Sequence, residues 1–236
     1  GKCYPAIVLI HGGFHERFNI EWFRFIDEAI SKGYVVIFPE YRGSRGYGAN
    51  HYKNDYGKTD VSDVLFATKY FSRKQFVDPA RVGIFGMSRG GMVALLAIEK
   101  EPKTYPVAID VVGLTDFVAY MAYKPEYRRH EVAQEEAFGG KSPNKNLAAY
   151  MAVSPINNVE AIQTPLLVLA TTGDKIAPIE LHSGRLIDVL AAHHKVFESH
   201  IYDNAPGGHT FIYGDTWQQR DAYARIFMFL GRYLHP

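Results

Sequence analysis

A serine flanked by glycines follows a short apolar run in the middle of this chain. The stretch reads VGIFGMSRGG over residues 82–91, with Ser88 between Gly86 and Gly90. A turn this tight strains its central residue and brings chain segments close together, so the positions two before and two after must lack a Cβ. The pattern therefore predicts an exposed nucleophilic hydroxyl on a sharp turn between a strand and a helix.

A serine hydroxyl is a weak nucleophile unless a base accepts its proton and an acid holds that base in position. Asp174 follows an apolar run at residues 166–171, and His209 lies in a glycine-rich loop after the last predicted strand. Asp203 is the rival acid, but it lies too close to the end of its own strand. Serine, aspartate, histidine is the chain order of α/β-hydrolases. We therefore predict a triad of Ser88, Asp174 and His209, with an ordinary turn aspartate as the alternative for Asp174.

Acyl transfer also needs N–H donors for the oxyanion of its tetrahedral intermediate. The main-chain N–H of Arg89 opens the helix after the serine. The first predicted strand is followed by His11, Gly12 and Gly13, which can present a second N–H group. We expect Gly13 to be that donor, and the alternative is a plain glycine turn.

Short β-branched runs alternate with longer amphipathic stretches along the chain. Strands are predicted at residues 6–10, 34–38, 82–85, 107–112, 166–171 and 195–202. Helices are predicted at residues 20–32, 60–72, 89–101, 179–193 and 217–234. Because parallel strands need crossover connections, this alternation predicts a mostly parallel sheet with helices on both faces. The proposed triad would then lie at the carboxyl ends of the strands, where chemistry collects in such folds.

Residues 116–159 interrupt the alternation. The segment is rich in aromatic residues, contains the pair Gly139 and Gly140, and has no clear strand. A long insert at this point predicts either a lid or pocket wall, or extra helices packed at the sheet edge. Because no repeat or linker divides the chain, we expect residues 1–236 to form a single domain.

The bulk composition excludes several classes of function. The 26 basic and 25 acidic side chains give no one-signed field that nucleic acid or a membrane surface could use. No apolar run approaches the roughly 20 residues of a membrane span. Cys3 is the only cysteine, so we expect no internal disulfide and no thiolate metal cluster. Neither the pair His193 and His194 nor the scattered carboxylates have the spacing of a metal-ligand set, so no metal site and no cofactor are expected. A soluble protein is expected, while its compartment, cytoplasmic or secreted after processing, and homo-oligomer formation stay open.

The whole pattern resembles the catalytic domain of the prolyl oligopeptidase family of α/β-hydrolases, and within it the acylaminoacyl-peptidase branch. The motifs that carry the resemblance lie at residues 11–13, 41–48, 60, 63, 78–82, 86–91, 154–156, 164–166, 173–178 and 209. The resemblance implies that Ser88 is the nucleophile, His209 the general base and then acid, and Asp174 the orienting acid. It also implies an oxyanion hole from the main chain of Gly13 and Arg89.

Three features differ from the peptidases of this family. Arg89 stands where they often carry tyrosine, and its cation is expected to bind an acidic substrate group or to form a salt bridge at the rim. No segment before the first strand corresponds to the β-propeller that restricts entry to short peptides. The fold's first two strands also lie outside the sequence, which leaves an uncovered sheet edge and indicates a fragment of a longer enzyme. Substrate contacts are expected at His11, Gly12, Tyr47 and Arg89.

These observations predict a serine hydrolase that works through a covalent acyl-enzyme on Ser88. An ester needs less protonation of its leaving group than an amide does, so small carboxylic esters rank slightly above short acyl-peptides as substrates. The alternatives are the exopeptidase or oligopeptidase catalytic domain of a longer chain, an acyltransferase, and a catalytically inactive binding module.

Overall fold

Six parallel strands form one sheet in this computed structural model, which describes residues 3–236. They are β1 (Tyr4–Ile10), β2 (Val35–Ile37), β3 (Val77–Met87), β4 (Ala108–Val111), β5 (Leu166–Thr171) and β6 (Phe197–Tyr202). Their order in space is β2-β1-β3-β4-β5-β6, and every pairing is parallel. The predicted parallel sheet is confirmed. β3 starts earlier than predicted because Val77 pairs with Tyr4 before the register shifts.

Nine α-helices lie within the described residues. They are α1 (Phe23–Ser31), α2 (Ala49–Tyr52), α3 (Thr59–Phe71), α4 (Arg89–Lys100), α5 (Phe117–Tyr123), α6 (Glu126–Ala133), α7 (Leu147–Ala152), α8 (Ser183–Ala192) and α9 (Trp217–Leu234). The stretch predicted as helix from residue 20 begins as a 3₁₀ turn, Ile20–Trp22, before α1. Between Cys3 and Pro236, no helix combines the length and the apolar character needed to cross a membrane.

Successive side chains of each central strand pack on opposite faces of the sheet. In β1, Ala6, Val8 and Ile10 join one buried hydrophobic cluster, and Ile7 and Leu9 join the other. This division follows from the two-residue period of a strand. Helices α3, α4 and α8 complete the first cluster and α1 and α9 the second, so helices cover both faces as expected.

The insert at residues 116–159, all of it described, contains α5, α6 and α7 and no strand. Most of its aromatic side chains serve the core, since the Phe138 ring stacks on Tyr150 with centroids 4.1 Å apart and lies 6.0 Å from Phe117. Tyr127 differs because 70% of it is exposed. The insert therefore adds helices to the first hydrophobic cluster, and its action as a lid stays a prediction.

Two glycines allow β3 to turn directly into α4. A Cβ on Gly86 would collide with the main-chain oxygen of Gly90, and a Cβ on Gly90 would collide with the main-chain oxygens of Ile10 and His11. Only glycine therefore lets the end of β1 approach the start of α4 this closely. By contrast, Gly231 within α9 has open space at its Cβ position.

Replacing Gly90 with alanine should lower the free energy of unfolding by about 2 kcal/mol or more, because the backbone after β1 would have to shift. Gly231→Ala is the matched control and should raise stability by up to about 1 kcal/mol, since glycine is unfavourable inside a helix. Urea unfolding followed by circular dichroism measures both variants. A Gly90→Ala protein as stable as the parent would contradict the close approach.

Candidate active site

Ser88 lies between β3 and α4 with a backbone conformation that side chains rarely adopt. Its φ is 58° and its ψ is −123°. Three main-chain hydrogen bonds hold it there: its N–H donates to Val111, and its carbonyl accepts from Met92 and Leu114. Strain of this kind at a nucleophile is typical of the sharp strand-to-helix turn that the sequence predicts.

The structure brings the three predicted catalytic side chains into one hydrogen-bonded row. Ser88 Oγ lies 2.7 Å from His209 Nε2, and His209 Nδ1 lies 2.7 Å from Asp174 Oδ2. A carboxylate accepts the Nδ1–H, so Nε2 is left free to accept the serine proton. Asp203 lies elsewhere, with its Oδ1 accepting from the Thr172 hydroxyl at 2.9 Å.

Asp174 is held by the loop that follows β5. Its Oδ1 accepts the N–H groups of Ile176 and Ala177, each at 2.8 Å, while Oδ2 faces the histidine. These main-chain donors fix the carboxylate against rotation, and the carboxylate in turn orients the imidazole. His209 comes from the 3₁₀ segment Gly208–Tyr213 after β6, so acid and base leave neighbouring strands at the same sheet edge.

The loop after β1 approaches the nucleophile closely. A Cβ on Gly12 would lie 2.9 Å from the main-chain oxygen of Met87 and 3.0 Å from Ser88 Cβ. Gly13 follows with φ at 78°, in the left-handed region, and lines the cavity beside Ser88. Arg89 is the first residue of α4, where N–H groups have no partner within the helix. The oxyanion hole formed by Gly13 and Arg89 stays a prediction.

A cavity of about 360 Å³ opens onto Ser88. Its lining includes Gly13, Phe14, Ser88, Arg89, Leu114 and Tyr120. Residues of the insert and Ile176 from the acid-bearing loop complete the wall. A larger cavity of about 620 Å³ lies inside the insert and does not include Ser88. Within residues 3–236, no group of three or more His, Cys, Asp or Glu side chains is arranged to hold a metal ion.

Three of the expected substrate contacts lie outside the lining of this cavity. His11 is buried, with its ring stacked on Tyr41 at 4.4 Å and its Nε2 3.0 Å from the Ser44 hydroxyl. Burial lowers the pKa of His11 to about 4, so the ring is neutral at neutral pH. Gly12 packs closely against Met87 and Ser88, and Tyr47 is 56% exposed beside His51. None of the three is among the residues that line the cavity, and their role as substrate contacts stays a prediction.

The side chain of Arg89 forms a salt bridge, as one of the two expectations has it, but this salt bridge is buried and does not lie at the rim. It is 1% exposed, and its Nη2 donates to Asp60 Oδ2 at 2.7 Å. The guanidinium carbon lies 4.2 Å from the ring centroid of Tyr56 and 5.2 Å from that of Tyr41. Burial opposes the charge, but these neighbours outweigh it and raise the pKa of Arg89. The charge of Arg89 is therefore neutralised in a buried ion pair that joins α4 to α3.

Asp110 is a buried carboxyl under the nucleophile turn that sequence reasoning missed. It lies in β4 beside Gly86, and its carboxyl fills the space that a Cβ on Gly91 or Gly113 would need. Burial raises the pKa of Asp110 to about 7. The available signal was a single aspartate within the apolar run at residues 107–112.

The insert is hydrogen-bonded to the loop that follows β5 and contains Asp174, through the carbonyl of Ile176. The oxygen of Ile176 accepts from the Tyr123 hydroxyl and from Lys124 Nζ, each at 2.9 Å. Behind it, the N–H of Thr115 donates to His182 Nδ1 at 3.3 Å, so Nε2 carries the proton and donates to the Tyr123 hydroxyl oxygen at 2.8 Å. Burial lowers the pKa of His182 to about 4, which keeps this arrangement neutral.

Known proteins share this sequence pattern and fold. The sequence profile of the prolyl oligopeptidase family matches residues 15–236. The chain belongs to the prolyl oligopeptidase family. It is 29% identical over 192 residues to the acylamino-acid-releasing enzyme of Arabidopsis thaliana, which covers 76% of this chain and 24% of that enzyme. It is 34% identical over 151 residues to dipeptidyl peptidase 8 of Homo sapiens, covering 58% of this chain and 16% of that protein.

Solved structures confirm the α/β-hydrolase fold of this prolyl oligopeptidase family member. The acylaminoacyl peptidase of Pyrococcus horikoshii superposes with a TM-score of 0.85 at 23% identity, over 99% of this chain and 38% of that one. A puromycin-hydrolyzing peptidase of Mycobacterium tuberculosis gives 0.80 at 23% identity, over 99% and 35%. The chain spans about a quarter of the length of the curated acylamino-acid-releasing enzymes that it matches. The family to which the chain belongs is one of serine peptidases of the prolyl oligopeptidase type.

Asp60→Asn should lower the free energy of unfolding by about 3 kcal/mol or more, because it leaves the buried Arg89 guanidinium without its counter-charge. Asp63→Asn is the matched control on the same helix, since Asp63 pairs with the half-exposed Arg42 and should cost less than about 1 kcal/mol. Urea unfolding compares the two. Equal losses of unfolding free energy in the two variants would contradict the larger stabilisation expected of the buried Arg89–Asp60 pair.

Asp110→Asn should stabilise the protein more at pH 8 than at pH 4. A folded pKa near 7, above the ordinary value, means that the Asp110 carboxyl favours folding at low pH and that this contribution is lost as pH rises towards 7. The difference in unfolding free energy between variant and parent should therefore change by up to about 4 kcal/mol across this range. Other titrating groups cancel in the difference, and a difference independent of pH would contradict the raised pKa.

Proposed function

We propose that this chain is the catalytic domain of a serine peptidase that cleaves short acylated peptides through an acyl-enzyme on Ser88. The observation that carries the proposal is the continuous row from Ser88 Oγ to His209 to Asp174, with both distances at 2.7 Å. The strained turn and the cavity that opens onto the hydroxyl support it further. Such a row in hydrogen-bond contact favours an active enzyme over an inactive binding module.

The proposed reaction begins with attack of Ser88 Oγ on the substrate carbonyl carbon. The serine proton passes to His209 Nε2, and Asp174 stabilises the resulting imidazolium through Nδ1. The carbonyl oxygen becomes an oxyanion and accepts N–H groups from Gly13 and Arg89. Collapse breaks the C–N bond while His209 returns the proton to the leaving amine. Water then repeats the sequence, and its attack on the acyl-enzyme frees Ser88.

Peptides now rank above esters as the proposed substrates. The sequence alone favours small esters, because an alcohol departs more easily than an amine. The matched relatives are named acylamino-acid-releasing enzyme and dipeptidyl peptidase, and the solved structures are named peptidases. These names favour amide cleavage in peptides, and those of the acylamino-acid-releasing enzyme and the acylaminoacyl peptidase favour an acylated substrate. Ester hydrolysis at Ser88 remains compatible with the same chemistry and serves as a convenient assay.

Covalent labelling by a fluorophosphonate probe tests the nucleophile. The parent chain should be labelled at Ser88 and should release nitroaniline from an acetyl-alanyl nitroanilide. Ser88→Ala should abolish both signals while leaving the unfolding transition in place. A parent protein that is folded yet neither labelled nor active would refute the hydrolase assignment.

Asp174→Asn should lower turnover by roughly four orders of magnitude with little change in stability, because the imidazole would be held in the wrong tautomer. Asp203→Asn is the matched control, since Asp203 contacts Thr172 and not His209. Its turnover should stay near that of the parent. Hydrolysis of a nitrophenyl ester measures both variants, and the reverse result would move the acid to Asp203.

A further inference from the structure

Two cations of the insert line the same cavity as the proposed nucleophile. Lys124 follows α5 and Arg128 lies in α6, and both belong to the wall of the cavity that contains Ser88. Neither was singled out from the sequence, because the insert there lacks a periodic pattern. From the sequence, a cation in this cavity is expected to bind an acidic substrate group. The buried side chain of Arg89 cannot do so, but Lys124 and Arg128 are placed where they could.

Most of the charges around this cavity already have a partner. Arg89 is paired with Asp60 at 2.7 Å, and Glu16 with Arg45 at 2.8 Å. Lys124 is different: among residues 3–236, no carboxylate lies within ion-pairing distance of its Nζ. The ammonium instead donates to the carbonyl of Ile176. Lys124 thus lines the cavity without a direct ion pair, and the carboxylate of Asp174 acts on its charge only from a greater distance.

Arg128 adds a second set of donors to the same wall. Its Nη1 pairs with Glu131 at 2.6 Å, and a guanidinium has four further N–H donors. The guanidinium carbon lies 5.4 Å from the ring centroid of Phe14, which also lines the cavity. An anion at this wall could accept hydrogen bonds from both Arg128 and Lys124.

The two cations also disfavour each other in the empty cavity. Burial lowers the pKa of Lys124, the nearby charge of Arg128 lowers it further, and the carboxylate of Asp174 offsets only part of this shift. The ring centroids of Tyr120 and Tyr123 lie 4.7 and 4.8 Å from the ammonium and favour the charged form. A bound anion would relieve the repulsion and replace lost solvation. The side of the cavity formed by Lys124 and Arg128 therefore favours a negative group over a neutral one.

We propose that Lys124 and Arg128 bind a carboxylate of the substrate, so that this hydrolase prefers acidic acyl-peptides to neutral ones of the same size. The proposal rests on the proposed function, because it assigns a substrate class to the same cavity. Two sources offer the same chemistry: the side chain of an aspartate or glutamate in the acyl part, and the free carboxyl terminus of a short peptide. The experiment separates them.

The test compares substrates that differ only in charge. One pair is acetyl-glutamyl and acetyl-glutaminyl nitroanilide, and the other is acetyl-dialanine with a free carboxylate and with a carboxamide. In at least one pair, kcat/KM should be about tenfold higher for the carboxylate, mainly through KM, and added salt should reduce the ratio. The pair that responds identifies the source of the carboxylate.

Variants connect the preference to the wall. Lys124→Met should bring the ratio close to one, Lys124→Glu should favour the uncharged member, and Lys124→Arg should keep the preference. Arg129→Gln is the matched control, because Arg129 neighbours Arg128 in α6 but lines the other cavity. It should leave the ratio unchanged. If Lys124→Met fails to fold, Arg128→Gln decides, and it should reduce the ratio.

The outcomes separate this inference from the proposed function. A parent chain that hydrolyses both members of each pair equally well overturns the carboxylate site while leaving the serine peptidase in place. So does a preference that persists in Lys124→Met or, where that variant is unfolded, in Arg128→Gln. A folded parent that cleaves none of the substrates and resists fluorophosphonate labelling overturns the proposed function itself.

Discussion

The chemistry at Ser88 depends on the main-chain hydrogen bonds that hold this residue in the left-handed region. A non-glycine residue there costs on the order of 1–3 kcal/mol, and it persists only where its surroundings over-determine it. Val111 at the end of β4, Leu114 just beyond it and Met92 in α4 supply those bonds. Relaxation of φ would turn the hydroxyl away from His209. The nucleophile therefore exists only when β3, β4 and α4 are folded together.

Two buried acidic side chains, Asp60 and Asp110, pack against the turn at Ser88. Asp60 forms an ion pair, whereas Asp110 has no cation beside it among the described residues. Asp60 neutralises Arg89 and so joins α3 to the first residue of α4. Asp110, on the other side, lies in the sheet beneath Gly91 with a pKa that burial raises to about 7. The third glycine of the motif follows from this: Gly86 and Gly90 make room for backbone, whereas Gly91 makes room for a carboxyl.

The parts that sequence reasoning predicted are those with a local signature. A serine between glycines at a strand end, an aspartate after the next-to-last strand and a histidine in the last glycine-rich loop each follow from neighbouring residues. The parallel topology makes their carboxyl ends converge, so strand order alone brings Ser88, Asp174 and His209 to one edge. The same reasoning favours Asp174 over Asp203 as the partner of His209. In the structure Asp203 accepts a hydrogen bond from Thr172 instead.

The environment of Arg89 could not be found in this way, because Asp60 precedes it by 29 residues and the contact depends on how α3 packs against α4. The sequence motif shows that Arg89 follows Ser88, but it does not show that the side chain of Arg89 is buried. Lys124 and Arg128 were missed for a related reason. An irregular insert has no period that assigns side chains to a face, so only the packed structure shows which of its charges reach the cavity.

The proposed carboxylate site and the proposed catalytic acid, Asp174, are both bonded to a single residue. Ile176 donates its N–H to Asp174 Oδ1 and accepts at its carbonyl from both Tyr123 and Lys124. If Lys124 turns towards a carboxylate, the Tyr123 hydroxyl still holds that carbonyl, because His182 stays neutral and fixes the Tyr123 proton on Ile176. The duplicate donor therefore lets the insert bind an anion without loosening the loop that orients His209. In the proposed enzyme, catalysis at the sheet edge and selection of the substrate by the insert could therefore change independently.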